Sequence, residues 1–170
     1  MLARAHHFGG ALFYLCETTL TDMVHLDPSQ FASIAAGGAP AAFLDALRYG
    51  VPAYVDAVTS LPATIEALCL TERGREMVAA RAPMRALVGV LTHKAYAACV
   101  VPAEFGPRLE ELLRHLHADM RAACVDALLA MLRVLCAVGG DAAALAWAPD
   151  AAAAAAPPCL LYTSPSPRDS

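Results

Sequence analysis

Residues 61–91 read LPATIEALCLTERGREMVAARAPMRALVGVL. Apolar side chains recur in this stretch at spacings of three and four, which is the period of an amphipathic helix. Three short patterns of this kind follow one another, bounded by Pro62 and Pro83 and divided by the pair Arg73-Gly74. Proline breaks helices, and a pair of this kind is typical of a turn. The stretch therefore predicts short stacked helices, as in a solenoid.

An internal echo supports this interpretation. When residues 31–47 are laid over residues 74–90, Pro40 falls on Pro83 at an offset of 43 residues. Armadillo and HEAT repeats have periods of roughly 40–47 residues, and each repeat buries its apolar face against the next one. The sequence thus predicts an all-α fold, an armadillo/HEAT-like α-solenoid fragment. An irregular all-α bundle stays open as the alternative.

The N-terminal part of the chain predicts a further helix. Residues 8–24 carry Leu12, Leu15, Thr19 and Met23 at helical spacing, which is typical of an amphipathic helix. Ser29 is a candidate N-cap for a short helix that follows.

Residues 95–138 contain the longest helical pattern of the chain. Residues 95–106 have weak periodicity and predict a connecting loop, after which Pro107 begins a pattern over residues 108–138. Whether this pattern is one helix or two, broken near residues 117–119, is open at this point.

The composition favours helices over a membrane segment. Apolar residues make up 58% of the 170, but alanine supplies much of that share and only 6% of the chain is aromatic. No run provides the about 20 uninterrupted apolar residues of a spanning helix. The apolar run near the N-terminus is followed by Glu17 and Asp22 without a small-residue cleavage motif, which argues against a signal peptide. We therefore predict no membrane partner.

Charge and cysteine usage narrow the classes of partner. The net charge is −4, and the basic residues are not gathered into the stripe that a nucleic-acid footprint requires. The six cysteines lie far apart without a CxxC pair, which is typical of buried thiols in a reducing compartment. We expect protein partners, with no direct nucleic-acid partner, no small-molecule ligand and no cofactor.

Composition also divides the chain into three segments. Residues 1–140 carry the helical patterns and form the predicted armadillo-like repeat domain. Residues 141–158 are an Ala/Pro-rich, low-complexity tail. Residues 159–170 are Ser/Pro-rich and resemble the translated sequencing-adaptor tails of assembled transcripts, so we interpret them as non-native.

Candidate catalytic and metal-binding residues are weak. His115 and His117 are two apart, which separates them by about 200° around a helix, so they cannot both face one metal ion. Cys69 lies four residues before Arg73, yet its place in IEALCL puts it on the apolar side of the helix. We predict no catalytic residue and no metal site. A small helical enzyme that uses Cys69 is the weakest functional alternative.

A local basic cluster is the remaining candidate for a functional surface. It consists of Arg73, Arg75, Arg81 and Arg85, and it is diluted by neighbouring acidic residues. The cluster is a candidate contact for an acidic protein partner. The competing interpretation is an ordinary solvated face of the solenoid.

The wording of residues 59–78, TSLPATIEALCLTERGREMV, resembles the armadillo-like N-terminal region of the giant HECT-type E3 ubiquitin ligases, the class that includes Mule and its yeast and plant relatives. The matching positions are Ser60, Leu61, Pro62, Ala67, Leu68, Cys69, Leu70, Arg73 and Gly74. The resemblance continues upstream through Asp22, Val24, His25, Asp27, Pro28 and Leu44. Downstream it continues through Glu111, Leu112, Arg114, His115, Cys136 and Gly139.

The resemblance implies a scaffold and substrate-recruiting solenoid of a ubiquitin ligase in the cytoplasm or nucleus. In such ligases the catalytic HECT domain lies at the far C-terminus, and no cysteine of this chain matches its thioester-forming residue. The resemblance does not extend to the alanine-rich end. We therefore expect a non-catalytic piece of a larger protein. The alternative is a free-standing α-solenoid adaptor that binds a peptide or helix in a groove.

Overall fold

A computed structural model describes Leu2 and residues 5–138, and this part of the chain is built from helices without strands. The helices are α1 (Ala5–Phe8), α2 (Gly10–Leu26), α3 (Phe31–Ala36), α4 (Ala39–Tyr49), α5 (Val55–Leu68), α6 (Glu72–Arg81), α7 (Met84–Gly89), α8 (Pro102–His115) and α9 (Ala118–Val138). None of the described helices is both long and apolar enough to span a membrane. The all-α prediction is confirmed. The two predicted tails lie outside the described residues, and the three-segment division stays a prediction.

The helices pack in two layers. In the first layer α5 lies between α2 and α8 and contacts both. In the second layer α7 contacts α4 on one side and α9 on the other. Along the chain the helices alternate between the layers, with α2, α5 and α8 in the first and α4, α7 and α9 in the second. This is the solenoid-like arrangement that the repeat pattern predicted.

Equivalent helices underlie the echo in the sequence. At the predicted offset α2 corresponds to α5, α3 to α6 and α4 to α7. Thr21 and Thr64, which are 43 residues apart, occupy equivalent positions and hydrogen-bond to each other where α2 meets α5. Pro40 lies in the first turn of α4, and Pro83 is the N-cap of α7. The repeated prolines therefore begin equivalent helices.

The prediction that Pro62 breaks a helix was wrong, because α5 runs through it. A proline inside a helix removes a backbone hydrogen bond and costs about 3 kcal/mol. The neighbouring side chains of Val58, Leu61 and Ile65 are all completely buried. Burial of side chains of this size contributes roughly 1.5–3 kcal/mol each. Packing of α5 between its neighbours thus outweighs the local cost.

The predicted loop before Pro107 is shorter than expected. Helix α8 begins at Pro102, with Pro107 inside it, and Phe105 of its first turns is 1% exposed. A buried aromatic ring at this position favours the earlier start. The long C-terminal pattern is two helices, since Leu116 has extended backbone angles between α8 and α9.

The predicted N-terminal helix is α2, but the residues noted at helical spacing do not form its buried face. Leu15 is 59% exposed and Met23 is 49% exposed. The face that packs into the core consists of Phe13, Glu17, Leu20 and Val24. Because α2 carries apolar residues around most of its circumference, periodicity alone did not identify the buried face.

The structure differs from the prediction at two positions, the proposed N-cap Ser29 and the proposed turn residue Gly74. Asp27, and not Ser29, caps the 3₁₀ turn Pro28–Gln30, because its carboxylate accepts a hydrogen bond of 3.0 Å from the Ser29 amide. Thr71 caps α6 by accepting from the Gly74 amide at 3.1 Å. Gly74 was predicted to lie in a turn but is in the first turns of α6. A Cβ atom at this residue would collide with the Leu68 carbonyl oxygen, which explains why a glycine is needed there.

Candidate functional site

A buried carboxyl group lies where α2 packs against α5. Glu17 projects from the core face of α2 and is 0% exposed. From α5, the hydroxyl groups of Ser60 and Thr64 are buried at the same contact, and Thr21 of α2 lies at its edge. We call these four residues the polar seam. Such a group of side chains is unusual in the middle of a helical core, where charged residues are rarely buried.

A chain of hydroxyl groups leads to the carboxyl group. Thr21 Oγ1 donates to Thr64 Oγ1 at 2.9 Å, and Thr64 Oγ1 donates to Glu17 Oε1 at 3.0 Å. Ser60 Oγ donates to the backbone carbonyl of Asp56 at 2.8 Å. The seam therefore links the two repeat units through side chains as well as through apolar packing.

Burial controls the protonation of Glu17. It raises the pKa of the carboxyl group to about 8, and hydrogen bonding by Ser60 and Thr64 lowers that pKa only in part. Removing a carboxylate from water disfavours its charged form, which is the physical cause of the shift. Most Glu17 side chains are consequently protonated and uncharged at neutral pH.

Two buried oxygen atoms of this region lack a hydrogen-bond partner among the described residues. They are Glu17 Oε2 and Thr59 Oγ1, and Thr59 is only 4% exposed. A buried polar atom without a partner costs about 1–3 kcal/mol. The seam is thus less stable than the same helix contact would be with apolar side chains.

A cleft of about 170 Å³ opens beside the seam between α2, α5 and α8. Five aliphatic hydroxyl groups line it, from Thr18, Thr21, Thr59, Ser60 and Thr64. Its charged residues are Asp22, Asp56, Glu104 and Arg108, and all four are exposed. The cleft therefore has a buried hydroxyl floor and a mouth with an excess of negative charge. We call it the hydroxyl cleft.

A second cluster joins α5 to α8 at the surface. His115 Nδ1 lies 2.5 Å from Glu66 Oε1, and His115 Nε2 lies 3.8 Å from Glu111 Oε1. One ligand atom from each of these three side chains lies within 4.8 Å of the others, a set that could hold a metal ion. His117, whose spacing from His115 argues against a shared metal ion, lies 3.6 Å from Asp119.

The structure distributes the predicted arginine cluster over two helices. Arg73, Arg75 and Arg81 belong to α6, and Arg85 belongs to α7. Arg81 Nε forms an ion pair of 3.1 Å with Asp45 of α4, and Arg75 Nη1 donates to the Cys69 carbonyl at 3.2 Å. The guanidinium groups of Arg75 and Arg81 are thus engaged within the chain. A protein-binding surface at these arginines stays a prediction.

The thiol of Cys69 is in an environment that opposes nucleophilic chemistry. Burial raises its pKa to about 11, although Arg75 acts in the opposite direction. A nucleophilic cysteine needs a lowered pKa so that the thiolate is populated. The surroundings of Cys69 therefore agree with its interpretation as a core residue.

Sequence reasoning missed Glu17 and the hydroxyl cleft. Glu17 was noted only as a charge that follows an apolar run. Its spacing from Phe13 and from Leu20 puts it on one helical face with both, and a lone acid on such a face was the available signal. The cleft itself joins residues from three helices, which a sequence pattern does not bring together.

The stacked helix pairs define the class of the molecule as a helical-repeat domain. The chain belongs to the family described as Domain of Unknown Function (DUF913), whose model matches residues 1–160. No solved structure matches the chain.

Curated relatives place this domain in very large proteins. The chain is 32% identical over 139 residues to the E3 ubiquitin-protein ligase UPL2 of Arabidopsis thaliana, a match that covers 80% of the chain and 4% of that protein. It is 27% identical over 153 residues to the E3 ubiquitin-protein ligase HUWE1 of Mus musculus, covering 83% of the chain and 4% of the relative. A Schizosaccharomyces pombe ligase, ptr1, is 26% identical over 116 residues. The predicted resemblance to the N-terminal region of giant HECT-type E3 ligases is confirmed.

Proposed function

We propose that the chain is a non-catalytic scaffold and substrate-recruiting segment of a HECT-type E3 ubiquitin ligase, and that it contributes to ubiquitination through its parent protein. The observation that carries the proposal is the match to the ligases, which covers most of this chain but only 4% of UPL2 and 4% of HUWE1. A segment that is so small a part of the ligase would hold or position other parts of the protein, or recruit its substrates. Cytoplasm and nucleus are the proposed compartments.

Two features of the structure support this role. Stacked helix pairs present long, continuous surfaces, which repeat proteins use to bind other proteins. The described residues also offer an accessible cleft with charged side chains at its mouth. Protein partners are therefore the proposed ligands, either substrates or other parts of the ligase.

The test uses a full-length relative such as HUWE1, from which the matching segment is deleted. Two quantities are measured: ubiquitin thioester formation on the ligase, and the number of cellular proteins whose ubiquitination depends on it. We expect thioester formation to be unchanged and ubiquitination of a subset of substrates to fall. Equal loss of both activities would contradict a recruiting role.

The sequence of the source transcript distinguishes a ligase segment from a free-standing adaptor. Sequencing the source transcript beyond residue 158 distinguishes a reading frame that continues into a HECT domain from one that ends after the helical region. The first result supports the ligase segment, and the second supports a free-standing adaptor.

A further inference from the structure

The hydroxyl cleft carries more polar groups than folding requires. Thr59 and Thr64 are 4% and 1% exposed, so their hydroxyl groups were removed from water when the helices packed. Apolar residues of similar volume would fill these positions without the cost of desolvating an oxygen atom. The hydroxyl groups therefore need an explanation other than helix packing.

The hydrogen bonds of the floor are incomplete. Thr64 Oγ1 is engaged with Glu17 and Thr21. Thr59 also lines the cleft, and its buried Oγ1 has no partner within the described structure. Glu17 Oε2, directly behind the floor, also has none. A threonine hydroxyl can accept as well as donate, so a ligand that donates a hydrogen bond can pair with Thr59.

The charged side chains at the mouth of the cleft indicate which charge a ligand should carry. Asp22, Asp56 and Glu104 contribute three negative charges, and Arg108 contributes one positive charge. Arg108 forms no ion pair with these carboxylates in the described part of the chain, so it does not neutralise them directly. A cationic ligand is therefore favoured over an anionic one.

The carboxylates at the mouth do not form a compact set of metal ligands among the described residues, which favours an organic cation over a bare metal ion. Among the described residues, the set with three ligand atoms within 4.8 Å of one another is the Glu66 cluster, and none of the mouth carboxylates belongs to it. A guanidinium or ammonium group has several N–H donors on a long stem, and it can satisfy separated acceptors. Tyr14 lies on the wall of the cleft and offers an aromatic ring beside that stem.

We propose that the hydroxyl cleft binds a basic side chain, arginine or lysine, of a protein partner. The charged head donates hydrogen bonds to Thr59 Oγ1 and to the hydroxyl groups around it, while Asp56 and Glu104 neutralise its charge at the mouth. The proposal deepens the recruiting role and rests on it for the source of the side chain. Binding itself is measured without ubiquitin transfer, so the two proposals fail separately.

The test uses the full chain and three peptides of sequence acetyl-Gly-Ser-X-Ser-Gly-amide, in which X is arginine, lysine or citrulline. Citrulline keeps the shape of arginine and lacks its charge. Binding is followed by backbone amide NMR shifts and by calorimetry. We expect saturable shifts on α2, α5 and α8 with the two basic peptides, and affinity for citrulline lower by about tenfold or more, the usual effect of losing a charge-assisted hydrogen bond.

Variants localise the site. Asp56→Asn combined with Glu104→Gln should weaken binding of the arginine peptide by about tenfold, because both charges at the mouth are lost. The matched control is Glu110→Gln combined with Glu111→Gln on the same helix α8, which removes two exposed acids outside the cleft and should leave binding unchanged. Circular dichroism verifies that every variant is folded.

Thr59→Val separates binding from folding. It removes an unpaired buried hydroxyl at nearly constant shape, so the melting temperature should rise while affinity for the arginine peptide falls severalfold. Unchanged affinity in Thr59→Val would contradict the role of the hydroxyl floor. Equal binding of citrulline and arginine, or shifts that follow every acidic patch of the surface, would overturn the proposal.

Discussion

Two polar side chains are buried in this helical core, one with all of its hydrogen bonds made and one with its hydrogen bonding incomplete among the described residues. Tyr96, which is 8% exposed, donates its hydroxyl hydrogen to the Val51 carbonyl at 2.9 Å and accepts from the Val51 amide at 3.1 Å. Glu17 is fully buried, and one of its carboxyl oxygens is bonded by Thr64 while the other has no partner within the described residues.

The difference separates a structural polar group from a candidate for binding. The Tyr96–Val51 pair is complete, and it ties the connection between α4 and α5 to the connection before α8. Nothing more is needed to explain it. The Glu17 group is incomplete and lies beside an open cleft, where an unsatisfied oxygen costs stability unless a ligand pairs with it.

The largest expected effect is a gain of stability when Glu17 is replaced. The free Glu carboxyl has a pKa of 4.5, and burial raises it to about 8 in the folded protein. Between these values the unfolded chain releases its proton and the folded chain retains it, so the folded state becomes less stable as pH rises. Glu17→Gln removes this dependence. At pH 8 it should stabilise the protein by an amount on the order of a few kcal/mol.

The measurement is urea unfolding at pH 4.5, 6 and 8. The original chain and the Glu17→Gln variant should have similar unfolding free energies at pH 4.5, where Glu17 is protonated in the folded state and only about half ionised in the unfolded state. The two values should diverge steadily towards pH 8. Glu110→Gln makes the same substitution at an exposed site and is the matched control. Parallel pH curves for the original chain and the Glu17→Gln variant would show that the buried carboxyl does not titrate as described.

Removing the Tyr96–Val51 hydrogen bonds should lower the stability of the protein, whereas Glu17→Gln should raise it. Tyr96→Phe leaves the amide and carbonyl of Val51 buried without their partner, so we expect destabilisation of about 1–3 kcal/mol. The loss should be the same at pH 4.5 and at pH 8, since no group of the pair titrates in this range. Tyr49→Phe, at a side chain 56% exposed, is the control and should change stability by less than about 0.5 kcal/mol. If Tyr96→Phe lowers stability no more than Tyr49→Phe does, the hydrogen bonds of Tyr96 do not stabilise the fold and the contrast with Glu17 is wrong.

The repeat arrangement was accessible from the sequence, whereas the incomplete polar group was not. Pro40 and Pro83 begin equivalent helices because a proline at a helix start loses no intrahelical hydrogen bond, and such local rules are visible in the chain. Pro62 violates the same rule inside α5. Its position depends on tertiary burial of Leu61 and Ile65, which no local pattern measures.

The buried face of α2 shows the same limit. Leu15 and Glu17 are close in the sequence, and hydropathy favours burial of the leucine. The structure buries the acid instead and leaves the leucine 59% exposed. The reason is the position of α5, whose hydroxyl groups meet Glu17. A candidate site made by three helices becomes visible only when their order in space is known.

In addition to these buried polar groups, helix α9 has apolar side chains that are exposed among the described residues. Val125, Leu129 and Leu132 of α9 are 44%, 45% and 50% exposed. Their spacing of four and three forms one stripe along the helix, like the contact face of a coiled coil. We expect the chain to self-associate through this stripe, with little effect of the stripe on the stability of the fold.

Leu129→Glu combined with Leu132→Glu should make the protein monomeric and change its unfolding free energy by less than about 1 kcal/mol. Sedimentation velocity over a range of concentrations provides the measurement. Leu26→Glu, at an isolated leucine 85% exposed, should leave association unchanged. A chain that is already monomeric at all concentrations would contradict the expectation.

The smallest effect is expected at the Glu66–His115 contact, which is polar and paired but exposed to solvent. The Glu66 and His115 side chains are 24% and 51% exposed, so water and ions screen the interaction between them. Glu66→Gln should destabilise the protein by at most about 1 kcal/mol, and the loss should shrink further in concentrated salt. Thermal unfolding at low and high salt tests both statements, with Glu111→Gln as the control at 3.8 Å from the same ring. A loss as large as that of Tyr96→Phe would mean that pairing, rather than burial, decides how much a polar contact contributes in this fold.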